Sequence, residues 1–107
     1  MKKLLPIIFI LILSSCSKEV PFEQTVVRGE IVYLVNSEEP FTGTTVSYYE
    51  NGQLKYKENY KDGKLDGLRE SYYENGQLRM KANYKDGEAD GLLEGYDENG
   101  RLIYKEN

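Results

Sequence analysis

The sequence predicts an all-β protein, a single-layer antiparallel meander of repeated β-hairpins that is preceded by a cleaved signal helix. The stretch from Tyr48 to Gly67 returns as Tyr72 to Gly91, and the two copies are identical at most positions. Asn-Gly and Lys-Asp-Gly turn signals alternate at short, regular intervals through this repeat. The segments between these signals are too short for capped helices, so each repeat is expected to form a hairpin.

The N-terminal segment has the composition of a secretory signal. Lys2 and Lys3 precede a predominantly apolar run, 4–13, and small residues follow it. A helix of this length covers about 15 Å, roughly half of a hydrocarbon core, so the segment is too short to span a membrane. We therefore expect residues 1–15 to be a signal peptide, residues 16–25 an acylated cysteine with a tether, and residues 26–107 the repeat array.

Cys16 is the only cysteine in the chain, and it ends the run Leu13-Ser14-Ser15-Cys16. This run resembles the lipobox of bacterial lipoproteins. The resemblance implies that the Cys16 thiol is lipidated, that cleavage occurs just before it, and that acyl chains such as palmitate anchor the protein in the cell envelope. The alternative is an incidental thiol at the end of an ordinary secretory signal. Ser17 is not acidic, which favours the outer membrane or surface over the inner membrane.

Residues 26–35 are rich in β-branched and aromatic side chains, which predicts one or two strands interrupted at Gly29. Residues 36–43 align with residues 60–67 and are interpreted as an entry half-repeat. One column of this alignment holds an apolar plug of decreasing size, formed by Phe41, Leu65 and Ala89.

The length of the Asn-Gly loop decides which face of the sheet is buried, and two lengths are open. A two-residue loop would pair Tyr49 with Leu54, whereas a three-residue loop with Gly52 in the left-handed region would pair Tyr48 with Leu54. The hydrophobic pattern favours the second, with Tyr48, Leu54 and Tyr56 on one buried face. The opposite face would then carry the columns that begin with Tyr49, Lys55 and Lys57.

The tyrosine columns are the candidate binding surface, because tyrosine offers rigid, amphipathic contact area. The column of Tyr48, Tyr72 and Tyr96 is expected chiefly to pack the sheet, with a binding strip as its alternative role. Tyr49 and Tyr73 are better candidates for binding, since they would lie on the more polar face, where packing does not require them.

The composition argues against an enzyme. The chain has no histidine, and its one cysteine is assigned to lipid, so the usual nucleophile-base pairs and transition-metal clusters are missing. A net charge of -4 without a basic stripe argues against nucleic-acid binding. We therefore expect no catalytic residue, no metal and no cofactor.

The repeated carboxylates are also interpreted as structural or solvated. Four aspartates fall at turn positions without the spacing of a calcium loop: Asp62, Asp66, Asp86 and Asp90. Three glutamates form one solvated column: Glu50, Glu74 and Glu98.

The unit Tyr-Tyr-x-Asn-Gly-x-Leu, followed by Tyr-Lys-Asp-Gly-x-x-Asp-Gly, resembles the bacterial variant of the MORN repeat over residues 41–106. The resemblance implies a β-sheet module that binds proteins or membranes, and proteins built this way are commonly labelled antitoxin components. The expected function is a lipid-anchored envelope lipoprotein whose array is a non-catalytic protein-binding module. The alternative is an antitoxin or immunity factor that neutralises a toxin by direct binding, and a glycan-binding lectin is a third option.

Overall fold

The computed structural model describes residues 18–107, which fold almost entirely into β-strands and confirm the all-β prediction. The strands of this region are β1 (Glu19–Pro21), β2 (Thr25–Arg28), β3 (Ile31–Leu34), β4 (Gly43–Tyr48), β5 (Leu54–Lys61), β6 (Lys64–Tyr72), β7 (Leu78–Lys85), β8 (Glu88–Tyr96) and β9 (Leu102–Glu106). Seven of them form one sheet in the order β1-β4-β5-β6-β7-β8-β9, while β2 and β3 form a separate two-stranded sheet. From β4 onward the sheet is an antiparallel meander of consecutive hairpins.

The Asn-Gly loop has the three-residue form. Tyr48 pairs with Leu54, the Tyr49 amide donates to the Gln53 carbonyl at 2.8 Å, and the Gly52 amide donates to the Tyr49 carbonyl at 3.0 Å. Gly52 has a φ of 91°, which is the left-handed conformation that this loop requires. The same pairing recurs in the next two units, between Tyr72 and Leu78 and between Tyr96 and Leu102. The predicted loop length and register are therefore confirmed.

The Lys-Asp-Gly connection is a two-residue turn. Lys61 pairs with Lys64, and both intervening residues have positive φ, 51° at Asp62 and 83° at Gly63. Positive φ at both central positions defines the type I′ turn, whose twist matches that of the flanking strands. The repeat therefore alternates a three-residue loop at one end of the sheet with a two-residue turn at the other.

A β-bulge in each returning strand changes the predicted faces. Tyr48 pairs with Leu54 but Ser47 pairs with Tyr56, so Lys55 is an extra residue that the facing strand does not match. The bulge reverses the alternation of side chains, so the prediction that Tyr48, Leu54 and Tyr56 share a face is wrong. Tyr56 lies on the opposite face, and the column that begins with Lys57 joins Tyr48.

The interpretation of residues 16–25 as a tether is wrong for the part that the structure describes. β1 pairs in parallel with β4, with Glu19 opposite Thr44 and Pro21 opposite Val46. A 3₁₀ turn at Phe22–Gln24 then leads into β2. Val20 is buried at 8% exposure, so this segment adds a strand to the start of the sheet and covers part of β4.

The β2–β3 hairpin caps the first unit of the meander. Its strands join through a turn in which Gly29 and Glu30 have positive φ, so the 26–35 region forms two strands interrupted at Gly29, as predicted. The Val32 amide donates to the Gly63 carbonyl at 2.9 Å. Phe41 is only 3% exposed and packs against the Tyr60 ring, with the ring centroids 6.0 Å apart.

The core is concentrated at this capped end. Most of the buried residues of the described region lie near the start of the sheet, and Ser71 and Ala82 lie further along it: Val20, Phe41, Thr44, Thr45, Val46, Ser71 and Ala82. The plug shrinks along the array as predicted, from buried Phe41 through half-buried Leu65 to exposed Ala89. Each unit therefore depends on its neighbours for stability more than on a core of its own.

The predicted signal helix and the Cys16 lipidation site lie outside the described residues. Within residues 18–107, no helix is long and apolar enough to cross a membrane.

Candidate functional site

The two faces of the seven-stranded sheet differ in chemistry. On one face, which we call the charged face, a row of paired residues crosses the last five strands with alternating charge: Lys57, Glu70, Lys81, Glu94 and Lys105. The row ends in an ion pair between Lys105 Nζ and Glu94 Oε2 at 4.0 Å. Opposite charges directly across strands stabilise a sheet. Neighbouring strands therefore present opposite charges to one another along this row.

The other face, which we call the groove face, carries two rows with little unpaired charge. The first alternates small and large residues across successive strands: Ser47, Tyr56, Ser71, Met80, Gly95 and Tyr104. The second contains Thr45, Glu58, Arg69, Ala82, Leu93 and Glu106. Because the small residues leave space between the large ones, the first row forms depressions rather than a flat surface.

Two depressions adjoin on this face and share Tyr56 and Arg69. The first, of about 400 Å³, extends toward Phe22 at the start of the sheet, and Phe22 is 53% exposed. The second, of about 260 Å³, extends toward Met80 and Leu93. Tyrosine, methionine and arginine are enriched at protein interfaces, which makes the shared border of Tyr56 and Arg69 the centre of the candidate site.

Arg69 is held in place by polar neighbours on the groove face. Its Nε lies 2.8 Å from Glu58 Oε2, and its Nη1 donates to the Tyr84 hydroxyl at 3.5 Å. The Tyr60 hydroxyl donates to the other oxygen of Glu58 at 3.0 Å. Burial, and next the Glu58 carboxylate, raise the pKa of Tyr60, so this hydroxyl remains a donor. The guanidinium is thereby oriented before any partner arrives, while 42% of the Arg69 side chain remains exposed.

The tyrosines proposed for binding at the loop end have a structural role. The Tyr49 hydroxyl donates to the Tyr72 carbonyl at 2.7 Å, and the Tyr73 hydroxyl donates to the Tyr96 carbonyl at 2.7 Å. Strand pairing between adjacent units ends one residue before each of these carbonyls. Each hydroxyl therefore extends the hydrogen bonding between units beyond the last paired residue, and the expectation that packing does not require these tyrosines is wrong.

The repeated asparagines make the same kind of link. Asn51 Oδ1 accepts from the Gln53 amide within its own loop at 2.9 Å, and Asn51 Nδ2 donates to the Glu74 carbonyl of the next loop at 3.0 Å. Asn75 makes the equivalent pair of bonds, to Gln77 and Glu98. One amide group thus shapes its own loop and fixes the next loop beside it.

Neighbouring units are also hydrogen-bonded to each other at the turn end of the sheet. The Gly63 amide donates to the Phe41 carbonyl at 2.7 Å, and the Gly87 amide donates to the Leu65 carbonyl at 2.8 Å. The Asp86 amide also approaches Asp66 Oδ2 at 3.4 Å. Asp62 and Asp86 lie in the turns as predicted, whereas Asp66 and Asp90 lie in strands β6 and β8, so the prediction of turn positions is wrong for those two.

The last unit departs from this pattern. Asp97 stands where the earlier units have Tyr49 and Tyr73, and its Oδ1 accepts from the amides of Asn99 and Arg101 in its own loop. These backbone bonds, the one from Arg101 foremost, lower the pKa of Asp97. The third unit thus closes its own loop through Asp97.

The two tyrosine columns, which the sequence placed on opposite faces, lie apart in the structure. Tyr48, Tyr72 and Tyr96 lie on the charged face, where Tyr48 is 59% exposed. Tyr49 and Tyr73 border a separate depression at the loop end with Glu74, Asn75 and Glu98. Sequence reasoning missed Tyr56 and Met80 as groove-face residues, because the bulges at Lys55 and Arg79 that place them there have no signal in the repeat, and it gave no role to Arg69. A binding role for the tyrosine columns stays a prediction.

In the described part of the chain, no group of three or more His, Cys, Asp or Glu side chains is placed to hold a metal ion. The groove face instead provides two depressions, aromatic surface and one oriented guanidinium.

The model of the MORN repeat variant matches three consecutive segments, residues 41–62, 65–86 and 89–107, which together make up more than half of the chain. The chain belongs to the MORN repeat variant family. Each matched MORN unit begins at the plug residue and holds one hairpin, β4–β5, β6–β7 or β8–β9. The β2–β3 hairpin precedes the first MORN unit, so the part of the predicted 26–107 array before residue 41 is a cap. No curated protein and no solved structure matches the chain.

Proposed function

We propose that this protein is a lipid-anchored envelope protein whose MORN array binds a protein partner across the groove face and performs no catalysis. The observation that carries the proposal is the contrast between the two faces. The charged face pairs its lysines and glutamates across the strands, whereas the groove face holds Met80 at 43% exposure and Tyr104 at 51% exposure. The charged face also exposes Tyr48, but the two adjoining depressions lie on the groove face, and exposed apolar and aromatic surface beside such depressions is typical of an interaction site.

The hydrogen bonds between neighbouring units support a rigid binding surface. Tyr49 and Asn51 bond the following loop, and the turn glycines bond the preceding unit, so neighbouring hairpins are fixed at both ends. A surface that is ordered before binding loses less conformational entropy when the partner docks. The depressions around Tyr56 and Arg69 can therefore select a partner by shape, with the oriented guanidinium supplying a charge-assisted hydrogen bond.

Anchoring rests on the sequence of the N-terminal segment that ends at Cys16. A positive start, an apolar stretch, small residues and Cys16 stand in the order of a lipoprotein signal. Attachment through acyl chains at Cys16 would leave the array outside the cytoplasmic membrane, with its groove face available to envelope proteins.

The binding proposal is tested by photocrosslinking in cells. A photoreactive amino acid is placed at Met80 on the groove face and, in a separate variant, at Lys81, the next residue of the same strand on the charged face. We expect a discrete crosslinked product from position 80 and little or none from position 81. Equal yields from both positions, or no product from position 80, would contradict binding across the groove face.

A further inference from the structure

The second depression of the groove face has an unbalanced positive charge. Two arginines from neighbouring strands line it, Arg69 of β6 and Arg79 of β7, and none of the described residues that line it is acidic. The first depression differs, because its cations Lys55 and Arg69 lie beside the carboxylates of Glu23 and Glu58. The chain as a whole carries a net charge of -4. A local excess of arginine in an acidic chain indicates that the second depression suits a negatively charged group.

Arg79 lines this depression because of a β-bulge. Leu78 and Met80 pair with adjacent residues of β6, so Arg79 is the residue that the facing strand does not match. Bulges change the direction of a side chain, and Lys55, the equivalent residue of the preceding unit, likewise lines a depression of the groove face. Arg79 is exposed and forms no ion pair with any residue from 18 to 107. Its guanidinium is therefore available to a carboxylate from another molecule.

Arg69 adds an oriented guanidinium at the border of the same depression. Its Nε is paired with Glu58 and its Nη1 donates to the Tyr84 hydroxyl, which leaves Nη2 without a hydrogen bond to the described residues. Glu58 offsets the charge of Arg69, so the excess positive charge comes chiefly from Arg79. A carboxylate in the depression can receive hydrogen bonds from Arg79 and from Nη2 of Arg69, and hydrogen bonds between arginine and carboxylate are among the strongest in proteins.

The size and the apolar wall of the depression favour a protein side chain over a free small molecule. Its volume is about 260 Å³, which is below the range of about 300–1,000 Å³ that is usual for small-molecule sites. Met80, at 43% exposure, and Leu93 supply apolar surface beside the arginines. An inorganic anion would leave this apolar surface uncovered, whereas an acidic side chain next to an apolar one would cover both parts.

We propose that the second depression receives an aspartate or glutamate side chain of the protein partner, bound by Arg79 and Arg69, together with a neighbouring apolar side chain that packs on Met80 and Leu93. This acidic subsite rests on the proposed binding across the groove face and specifies the chemistry of the partner segment. Because the rest of the chain is acidic, it repels acidic peptides, so an acidic segment should bind only where the arginines lie.

Selection of peptides from a random library tests this preference. Nine-residue peptides displayed on phage are selected against the full chain in detergent. We expect the enriched sequences to carry an acidic residue next to an apolar one. The Arg79→Gln variant should lose this enrichment. The matched control is Lys85→Gln, which removes the same charge from the turn end of the same strand and should retain the enrichment.

Two-dimensional NMR then measures the contribution of the carboxylate. The peptide most enriched on wild type is synthesised in two forms, one with its acidic residue and one with the corresponding amide. We expect the acidic form to shift the amides of residues 79–82 and to bind about tenfold more tightly than the amide form. The Arg79→Gln variant should lose most of this difference, and the Lys85→Gln variant should keep it.

Several results would overturn the acidic subsite. These are the enrichment of no peptide, enriched peptides without an acidic residue, equal binding of the two forms, or shifts confined to residues away from β7. Inorganic phosphate or phosphatidylglycerol vesicles that shift the same amides as strongly as the acidic peptide would also overturn it, because the depression would then be a general anion site. Crosslinking from position 80 without an acidic preference would refute the acidic subsite alone, whereas no crosslinking from position 80 would refute binding across the groove face itself.

Discussion

At the scale of single residues, two of the repeated columns hold side chains that bond the next unit. Tyr49 and Tyr73 donate to backbone carbonyls one unit ahead, and Asn51 and Asn75 do the same one loop ahead. Asp97 replaces the tyrosine in the third unit and bonds within its own loop. The repeated identity of these positions therefore has a structural cause, and the residues that vary between units, such as Tyr56 and Met80, are the ones free to determine binding.

Removal of the Tyr73 hydroxyl tests whether the repeated side chains stabilise the contact between units. Tyr73→Phe leaves the Tyr96 carbonyl without its donor at 2.7 Å, and we expect the free energy of unfolding to fall by about 1–2 kcal/mol. Tyr48→Phe is the matched control, since its ring is 59% exposed on the charged face, and it should change the free energy by less than about 0.5 kcal/mol. Urea denaturation of the two variants measures both values. Equal losses of unfolding free energy in the two variants would show that the hydrogen bond of the Tyr73 hydroxyl does not stabilise the contact between units.

At the scale of elements, turns and strands were predictable from the sequence while the bulges were not. Asn-Gly and Asp-Gly predict the geometry of their turns directly, because the left-handed conformations at Gly52 and Asp62-Gly63 favour those residues. The bulge at Lys55 selects for no residue type, so the alternation of side chains was carried past it, and Tyr56 was assigned to the wrong face. The short strand β1 was missed for a related reason, since its parallel partner β4 lies far along the chain.

The turn at Gly63 packs against Ile31 of the β2–β3 hairpin, whereas the equivalent turn at Gly87 contacts Lys64. A comparison of the two turns therefore measures what the packing of the hairpin contributes to stability. A Cβ on Gly63 would overlap Ile31 Cγ2, whereas a Cβ on Gly87 would find Lys64 Cβ at an ordinary 3.8 Å. The φ values are nearly the same, 83° and 85°, so the backbone cost of alanine is shared. We expect Gly63→Ala to destabilise the fold by about 1–3 kcal/mol more than Gly87→Ala. Thermal unfolding of the pair measures the difference, and no difference would mean that the hairpin does not pack on this turn.

At the scale of the whole molecule, burial decreases from the capped start of the sheet to β9. The buried residues cluster near β1 and β4, whereas β9 is exposed along its length. In an array of this kind each unit is stabilised chiefly by its neighbours, so a central unit matters more than a terminal one. The sequence predicted this array from its period, but it could not predict the cap, because residues 18–35 do not belong to the repeat.

The leucine column tests this gradient. Leu78 in the central unit is half-buried, while Leu102 in the last unit is 51% exposed. We expect Leu78→Ala to lower the Tm more than Leu102→Ala does, because more apolar area returns to water at the central position. Differential scanning calorimetry of the two variants gives the comparison, and equal shifts in Tm would contradict the array account.

Labelling with radioactive palmitate tests whether the array is a lipid-anchored module of the cell envelope, as we propose. Wild type and Cys16→Ala are compared in a bacterial host by palmitate incorporation and membrane fractionation. We expect wild type to be labelled and recovered with the envelope, while Cys16→Ala carries no label and is not anchored. Unlabelled, cytoplasmic wild-type protein would contradict lipid anchoring and would favour an intracellular antitoxin that binds its toxin directly.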